Sequence, residues 1–322
     1  MALYKETIML NAADVKQFCL DSGADVVGIA SMDRFEGAPL QSDPRQIFPD
    51  AKSMIVMGFR IPRGSLRGIE EGTFYVSYAS MGYAAINHVL QPMTLWKITA
   101  MIEDEGYEAV PIPNNFPWTN NAGADGQPRL TFSKPVAEGR AAPDVFVHMR
   151  IAAMAAGVGE IGWSKMLLTK KFGPRQRLAA IITDAELEPD PVIKPGTICD
   201  RCMLCARDCT GNAIPVNKTV KIKLAGYDVE WGDIDYDLCS RYFCGMSPEY
   251  NPFMTNFPED QEGFAQPVAQ GQRYKVGPTY DYGRALEGAR GCIRACMMHL
   301  EEQGKLENQF KHPFRRRDPW KL

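Results

Sequence analysis

Ile198-Cys199-Asp200-Arg201-Cys202-Met203-Leu204-Cys205-Ala206-Arg207-Asp208-Cys209 sets four cysteines in a C-x2-C-x2-C-x3-C run. Three thiolates at this spacing wrap one [4Fe–4S] cluster, and the fourth, one helical turn further on, reaches across to a second. The run therefore predicts four more cysteines, and Cys239, Cys244, Cys292 and Cys296 follow it. The pair Cys292-x3-Cys296 repeats the last step of the run. Two clusters side by side make a path for electrons.

Other uses of the thiols fit less well. A zinc site calls for two C-x2-C knuckles about 12–20 residues apart, whereas here the knuckles overlap. Disulfide frameworks belong to short secreted domains, and this chain has 322 residues with no charged start, apolar middle and small-residue cleavage site at its N-terminus. Reduced or cluster-bound thiols are the expectation, and with them a cytoplasmic location. The ninth cysteine, Cys19, falls on the helical stripe Val15, Phe18, Cys19, Ser22 and reads as core.

Bulk composition sets outer limits. A hydrophobic content of 45% supports a sizeable core. Net charge is −3, from 36 basic and 39 acidic residues, which argues against nucleic acid as a partner. No apolar stretch reaches the ~20 residues of a membrane span. Arg315, Arg316 and Arg317 form a basic knot that reads as a solvated tail.

Along the chain, Asn11 caps a helix that stops at Gly23, and Asp25–Ala30 and Ser53–Phe59 read as buried strands. Residues 84–105 have helical spacing interrupted by Pro92. A short strand follows over 107–113. Residues 114–143 and 245–290 are rich in Asn, Gly and Pro or in Gly, Pro and Tyr, and read as irregular. A short helix over 146–156 leads to Gly157-Val158-Gly159-Glu160-Ile161-Gly162, and Leu178–Thr183 is the clearest strand. The glycines match a dinucleotide fingerprint, but they follow a helix rather than a strand, and Asp184 lacks a βαβ context. These signals give an α+β layered fold carrying a ferredoxin-like double-cluster module. The divisions expected are a core over 1–190, the cluster module over 191–300 with a wrapping insertion at 245–290, and a tail over 301–322.

The stretch Ala156–Asp184, then Leu187-Glu188-Pro189-Asp190 and the cysteine run, resembles the corrinoid-dependent reductive dehalogenases and their relative epoxyqueuosine reductase. The resemblance spans roughly Ala24 to Cys296 and is specific from Gly157 to Pro215. It implies a nitroreductase-like core that binds cobalamin, with two [4Fe–4S] clusters feeding electrons to cobalt. An organohalide or similar small molecule would be the substrate. A low-potential ferredoxin or flavodoxin would be the electron donor, and a homodimer is compatible with this reading. The alternatives are an epoxyqueuosine reductase acting on tRNA and a non-catalytic electron carrier or corrinoid-reducing protein.

Site residues follow from the same resemblance. Gly157, Gly159, Gly162 and Ser164, with the loop Thr169, Phe172, Gly173 and Arg175, would face the corrin. Asp144 is the first candidate proton donor and reads equally as a helix N-cap after Pro143. Tyr83 and His148 stand behind it, and Arg177 would meet an anionic leaving group. The second cysteine run departs from the family at Ala289; either the second cluster is a three-thiolate [3Fe–4S] or absent, or Cys244 takes the missing place. One cluster would then use Cys199, Cys202, Cys205 and Cys296, and the other Cys209, Cys239, Cys244 and Cys292.

Overall fold

Apolar residues alternate so completely in two segments that both faces are buried. These segments, β2 (Ser53–Arg60) and β6 (Gln176–Thr183), form the middle of the fold. The computed structural model describes residues 10–74, 76–113, 134–143, 145–244, 249 and 290–315. In it, β1 (Val26–Ser31), β2, β6 and β3 (Ala109–Ile112) make a four-stranded sheet in the order β1-β2-β6-β3. Every pair is antiparallel, with Ile29 opposite Ile55, Ile55 opposite Ile181 and Val110 opposite Ile182.

The twofold alternation of strand side chains divides the core. One face carries Ile29, Ile55, Met57, Phe59, Ala179 and Ile181. It packs on Val15 and Cys19 of α1 (Ala12–Asp21) and on Leu95, Ile98 and Ile102 of α2 (Gln91–Asp104). The other carries Ala30, Met54, Val56, Leu178, Ala180 and Ile182 and packs on the alanine-rich α3 (Met149–Ala155). Each fully buried Ile or Met contributes about 1.5–3 kcal/mol, and the small side chains of α3 let it lie close to the sheet. The result is helices on both sides of an antiparallel sheet, a mixed α+β architecture.

Local signals act where expected. The Asn11 side chain accepts from Asp14 N at 2.8 Å and caps α1, and Gly23 closes it with φ +116°. Pro92 sits in the first turn of α2, where its missing N–H costs nothing, and two π-helical turns, Ser80–Ala84 and Ile86–Leu90, precede it.

The sequence reading names no element between Cys209 and Cys239, but a hairpin lies there. Strands β7 (Thr219–Leu224) and β8 (Tyr227–Gly232) pair antiparallel around the two-residue turn Ala225-Gly226, both at positive φ. The cysteine segments are α4 (Leu204–Arg207), α5 (Tyr236–Cys244) and α6 (Cys292–Glu302). The last is clamped to the core. The buried Glu70 carboxylate accepts from Arg294 of α6 and from Arg315 beyond it, and these bonds hold its pKa low against the opposing effect of burial.

Candidate functional site

The loop from Cys199 to Cys205 is bent by two non-glycine residues in the left-handed region, Arg201 at φ 56° and Met203 at φ 60°. Such turns point successive backbone N–H groups toward one spot, a geometry common around anionic clusters. α6 brings Cys296 to the same place. Burial and then Cys205, Cys199 and Cys202 push the Cys296 thiol well above its ordinary value; burial and then Cys199 and Cys202 push Cys205 up to about 12. Thiols this close resist ionising together, and bound iron is what would make all four thiolates favourable. The donor set fits a [4Fe–4S] cluster.

Glu160 builds the seat of this loop. It is fully buried and accepts from Cys199 N at 2.5 Å and Thr197 N at 2.9 Å. The Ser164 side chain hydrogen-bonds Cys205, and a Cβ on Gly162 would lie 3.6 Å from Cys199 Sγ. The segment expected to face a corrin thus turns Gly162 and Ser164 toward the cysteines. Its other glycines serve close packing of chain on chain: a Cβ on Gly157 would meet Pro191 O at 2.4 Å, and one on Gly159 would meet Leu168 O at 2.3 Å. Thr169, Phe172 and Gly173 form a buried turn, with Gly173 against Leu300 and Leu306. Arg175 is buried and donates to Ile61 O at 2.7 Å and Asn308 Oδ1 at 3.0 Å.

A second group of thiols, Cys209, Cys239 and Cys292, shares one apolar cluster with Cys199 and Cys205 of the first and with Trp163, Ile214, Ile234 and Tyr236. Cys244 ends α5, and its side chain lies outside the described residues. Within α6, Cys292 packs in this cluster, while Cys296, four residues on, packs beside Cys199, Leu168, Ile198, Leu300 and Leu306.

Next to the second group is a cavity of about 450 Å³, walled by Phe35, Val147, Ile151, Ile222 and Leu224 and holding Lys165, His148, Trp231 and Tyr236. Lys165 is 4% exposed and donates from Nζ to the Tyr236 hydroxyl at 2.7 Å. Burial, with Arg150 adding to it and Asp233 opposing, draws its pKa down to about 7. Burial and then Lys165 and Arg150 hold His148 neutral, well below its ordinary value. Arg150 links cavity and thiols: it donates to Lys165 O at 3.2 Å, and its charge is felt by Arg177, Tyr236, Cys292 and Cys239.

Of the catalytic candidates, His148 lines this cavity. Tyr83 and Arg177 stand apart from its walls, the Arg177 guanidinium lying 3.9 Å over the Tyr83 ring and donating to Asn87 Oδ1 at 3.1 Å. Asp144 lies outside the described residues. Glu160, Lys165, Arg150, Trp231 and Tyr236 are additions from the structure. A cavity of this size takes one small molecule rather than a whole corrinoid. The residues expected at the corrin, Gly157, Gly159, Gly162, Ser164, Thr169, Phe172, Gly173 and Arg175, lie outside the walls of this cavity.

Curated relatives match a short part of the chain, which spans far less than two thirds of their length. Over 72 residues the chain is 44% identical to tetrachloroethene reductive dehalogenase of Desulfitobacterium hafniense and to that of Dehalobacter restrictus, a match covering 22% of this chain and 13% of the relative. The chain resembles reductive dehalogenases. Among solved structures, a catabolic reductive dehalogenase, NpRdhA, superposes with a TM-score of 0.50 at 18% identity, covering 92% of this chain and 37% of that one, so the fold is shared. An epoxyqueuosine reductase gives 0.46 at 15% identity over 87% of this chain and 77% of its own. These relatives are oxidoreductases. No protein-family model matches. Among the described residues no helix is long and apolar enough to cross a membrane.

Proposed function

We propose that the chain is an iron–sulfur reductase of the reductive dehalogenase type, which replaces halogen by hydrogen in a small organic molecule at the Lys165 cavity. The reaction consumes two electrons and one proton and releases halide. One observation carries the reading: Arg150 touches Lys165 and lies within electrostatic range of Cys239 and Cys292, so an electron path and a proton source meet at one small cavity.

Each residue has a task. Cys199, Cys202, Cys205 and Cys296 hold one [4Fe–4S] cluster; Cys209, Cys239 and Cys292, with Cys244, hold the other, nearer the cavity. Arg150 and Arg177 offset the negative charge of the thiolates. Lys165, its pKa drawn down to about 7, is poised to give up a proton near neutral pH, with Tyr236 fixing the direction of Nζ. The apolar walls exclude water. Cobalamin belongs to this reading through the resemblance across Gly157–Pro215, and two-electron cleavage of the carbon–halogen bond is the chemistry it would supply. The donor is a low-potential ferredoxin or flavodoxin. The dehalogenase reading leads over the epoxyqueuosine one because the 72-residue match names dehalogenases.

Anaerobic reconstitution with iron and sulfide, followed by turnover with a low-potential dye as electron source, tests the reading. About eight iron atoms per chain and halide release from an organohalide are the expected results. Iron bound without halide release, with or without added cobalamin, would leave an electron carrier.

A further inference from the structure

Among the described residues Cys202 is the one cysteine exposed at the surface; the others are buried or half-buried. Of the four thiols expected to share the first cluster, it therefore marks the edge that an outside electron carrier can reach. An electron crosses between proteins only over a short gap, so a carrier has to settle at this edge.

The charges around that edge are sorted by depth. Arg201 pairs with Glu230 at 2.8 Å, and Arg207 with Asp208 at 2.7 Å. In each pair the base stands out and the acid is tucked in: the Arg201 side chain is 51% exposed against 21% for Glu230, and Arg207 69% against 26% for Asp208. Lys221 of β7, 71% exposed, leans on the same Glu230 at 3.4 Å. Arg207 is close enough to Cys202 for the two to interact electrostatically. Asp200 is covered by His299 Nε2 and Gln303 Nε2 at 2.8 Å and by Lys305 Nζ at 3.8 Å. A visitor meets positive groups first, around the exposed thiol, in a chain whose net charge is −3.

The sorting also chooses between partners. Nucleic acid is held by direct contacts from Lys and Arg to phosphate, and the bases of this patch already have carboxylates beside them. Steering of an acidic protein needs only that the positive ends lie outermost. Electron-transfer encounters are small, below about 1,200 Å², and must dissociate after each delivery, which partnered charges allow.

We infer that a small acidic one-electron carrier protein docks on the face formed by Arg201, Arg207, Lys221 and Lys305, and that electrons enter the protein at Cys202. The inference rests on the cluster reading of the proposed function and adds to it where the donor binds and which thiol group is the outer one. The carrier loses one electron per encounter and the iron held by Cys199, Cys202, Cys205 and Cys296 gains it, with no bond made or broken. Two encounters supply the two electrons of the reaction. The group around Cys209, Cys239 and Cys292, beside the Lys165 cavity, is the inner station.

Stopped-flow mixing of the anaerobic, cluster-loaded protein with reduced flavodoxin, an acidic flavin carrier, tests this, with flavin reoxidation as the signal. At low salt the double variant Arg207→Gln/Lys221→Gln is expected to lower the second-order rate constant by about tenfold or more, a difference that shrinks below about twofold at about 0.5 M salt, where steering is screened. Lys52→Gln/Lys97→Gln removes the same charge from exposed positions elsewhere and should change the rate by less than about twofold. Reduction by a small low-potential dye should be alike in all three proteins. Equal flavodoxin rates for the wild type and Arg207→Gln/Lys221→Gln at low salt, or an equal loss in the Lys52→Gln/Lys97→Gln protein, would overturn the inference; an RNA stem-loop that binds the wild type but not the first variant would then assign the patch to nucleic acid. If the first variant takes up less iron, Lys221→Gln alone decides, since Lys221 lies on the hairpin outside the cysteine loop: a fall of about threefold at low salt supports the inference, and no change overturns it. Halide release is read separately. Patch-dependent flavodoxin oxidation in a protein that releases no halide would remove the dehalogenase reading and keep the docking face, while dye-driven halide release with patch-independent flavodoxin oxidation would do the reverse.

Discussion

Lys165 Nζ donates to the Tyr236 hydroxyl at 2.7 Å across 71 residues of chain, joining the glycine-rich segment to the helix that carries Cys239. The bond places a titratable amine in an apolar cavity beside the thiols of the second group.

Its pKa, drawn from 10.5 to about 7, makes stability depend on pH in a defined direction. The unfolded chain holds this proton between about pH 7 and 10, and the folded chain does not, so this group makes stability rise with pH above 7, by up to about 1.4 kcal/mol per unit. Urea unfolding of wild type and Lys165→Met at pH 7, 8 and 9 is expected to show the larger increase in the wild type. Equal slopes would mean that Lys165 keeps an ordinary pKa.

In the proposed reaction the same amine supplies the proton. Lys165→Met is expected to slow halide release by about 10²–10⁴-fold with both clusters intact, and wild-type turnover should fall as the pH rises through 7. Iron content measured on the same sample separates this from a loss of clusters.

Cys292 and Cys296 lie four residues apart on one helix, and the proposed ligand sets assign them to different clusters. Cys296→Ser should disturb the cluster shared with Cys199, Cys202 and Cys205, and Cys292→Ser the one shared with Cys209 and Cys239. Electron paramagnetic resonance of the reduced variants reads this out, and identical spectra from both would refute the division.

Glu160→Ala leaves two backbone N–H groups, those of Thr197 and Cys199, without their acceptor. A loss of about 3–6 kcal/mol is expected, since each of the two bonds to the carboxylate is worth about 1.5–3 kcal/mol. The cluster beside this loop should lose iron first. Unfolding midpoints and iron per chain check both points; unchanged iron would show that the thiols alone hold the loop.

Ala225 occupies the first position of the hairpin turn at φ 47°, a conformation that costs a residue with a Cβ about 1–2 kcal/mol. Asparagine tolerates that region and is favoured in such turns. Ala225→Asn is expected to raise stability by about 0.5–1 kcal/mol, measured by urea unfolding.

Much of this fold is legible in residue order. The cap at Asn11, the stop at Gly23, the apolar strands around Ile55 and Ile181 and the position of Pro92 are local signals with local causes, and each acts within a few residues of where it is written. The convergence of the cysteines was readable too: Cys199, Cys205, Cys209, Cys239 and Cys292, spread over 94 positions, meet in one apolar cluster. The cavity was not. Lys165 carries no sequence mark beyond being a charge in the apolar stretch Ile161–Leu168, and its partner lies on another element, so only the fold reveals the pair. The hairpin lining the cavity could have been found in the alternation Val220, Ile222, Leu224 and Val229, Trp231. The glycines have a packing role that residue order does not show: a missing Cβ serves close approach of any neighbour, and the neighbours at Gly157 and Gly159 are the backbone carbonyls of Pro191 and Leu168.

The carboxylate of Glu70, buried between Arg294 and Arg315, has a consequence for how the molecule is made. Its first partner lies 224 residues downstream. At about 5–20 residues per second of synthesis, that distance is roughly 10–45 s of waiting. Through that interval Glu70 must stay hydrated, the face it covers must stay open, and Cys292 and Cys296 do not yet exist. Clamping the helix and bringing Cys292 and Cys296 to the other cysteines are therefore one event. A cell making this protein has to keep seven nascent cysteines reduced until the ribosome has passed residue 296.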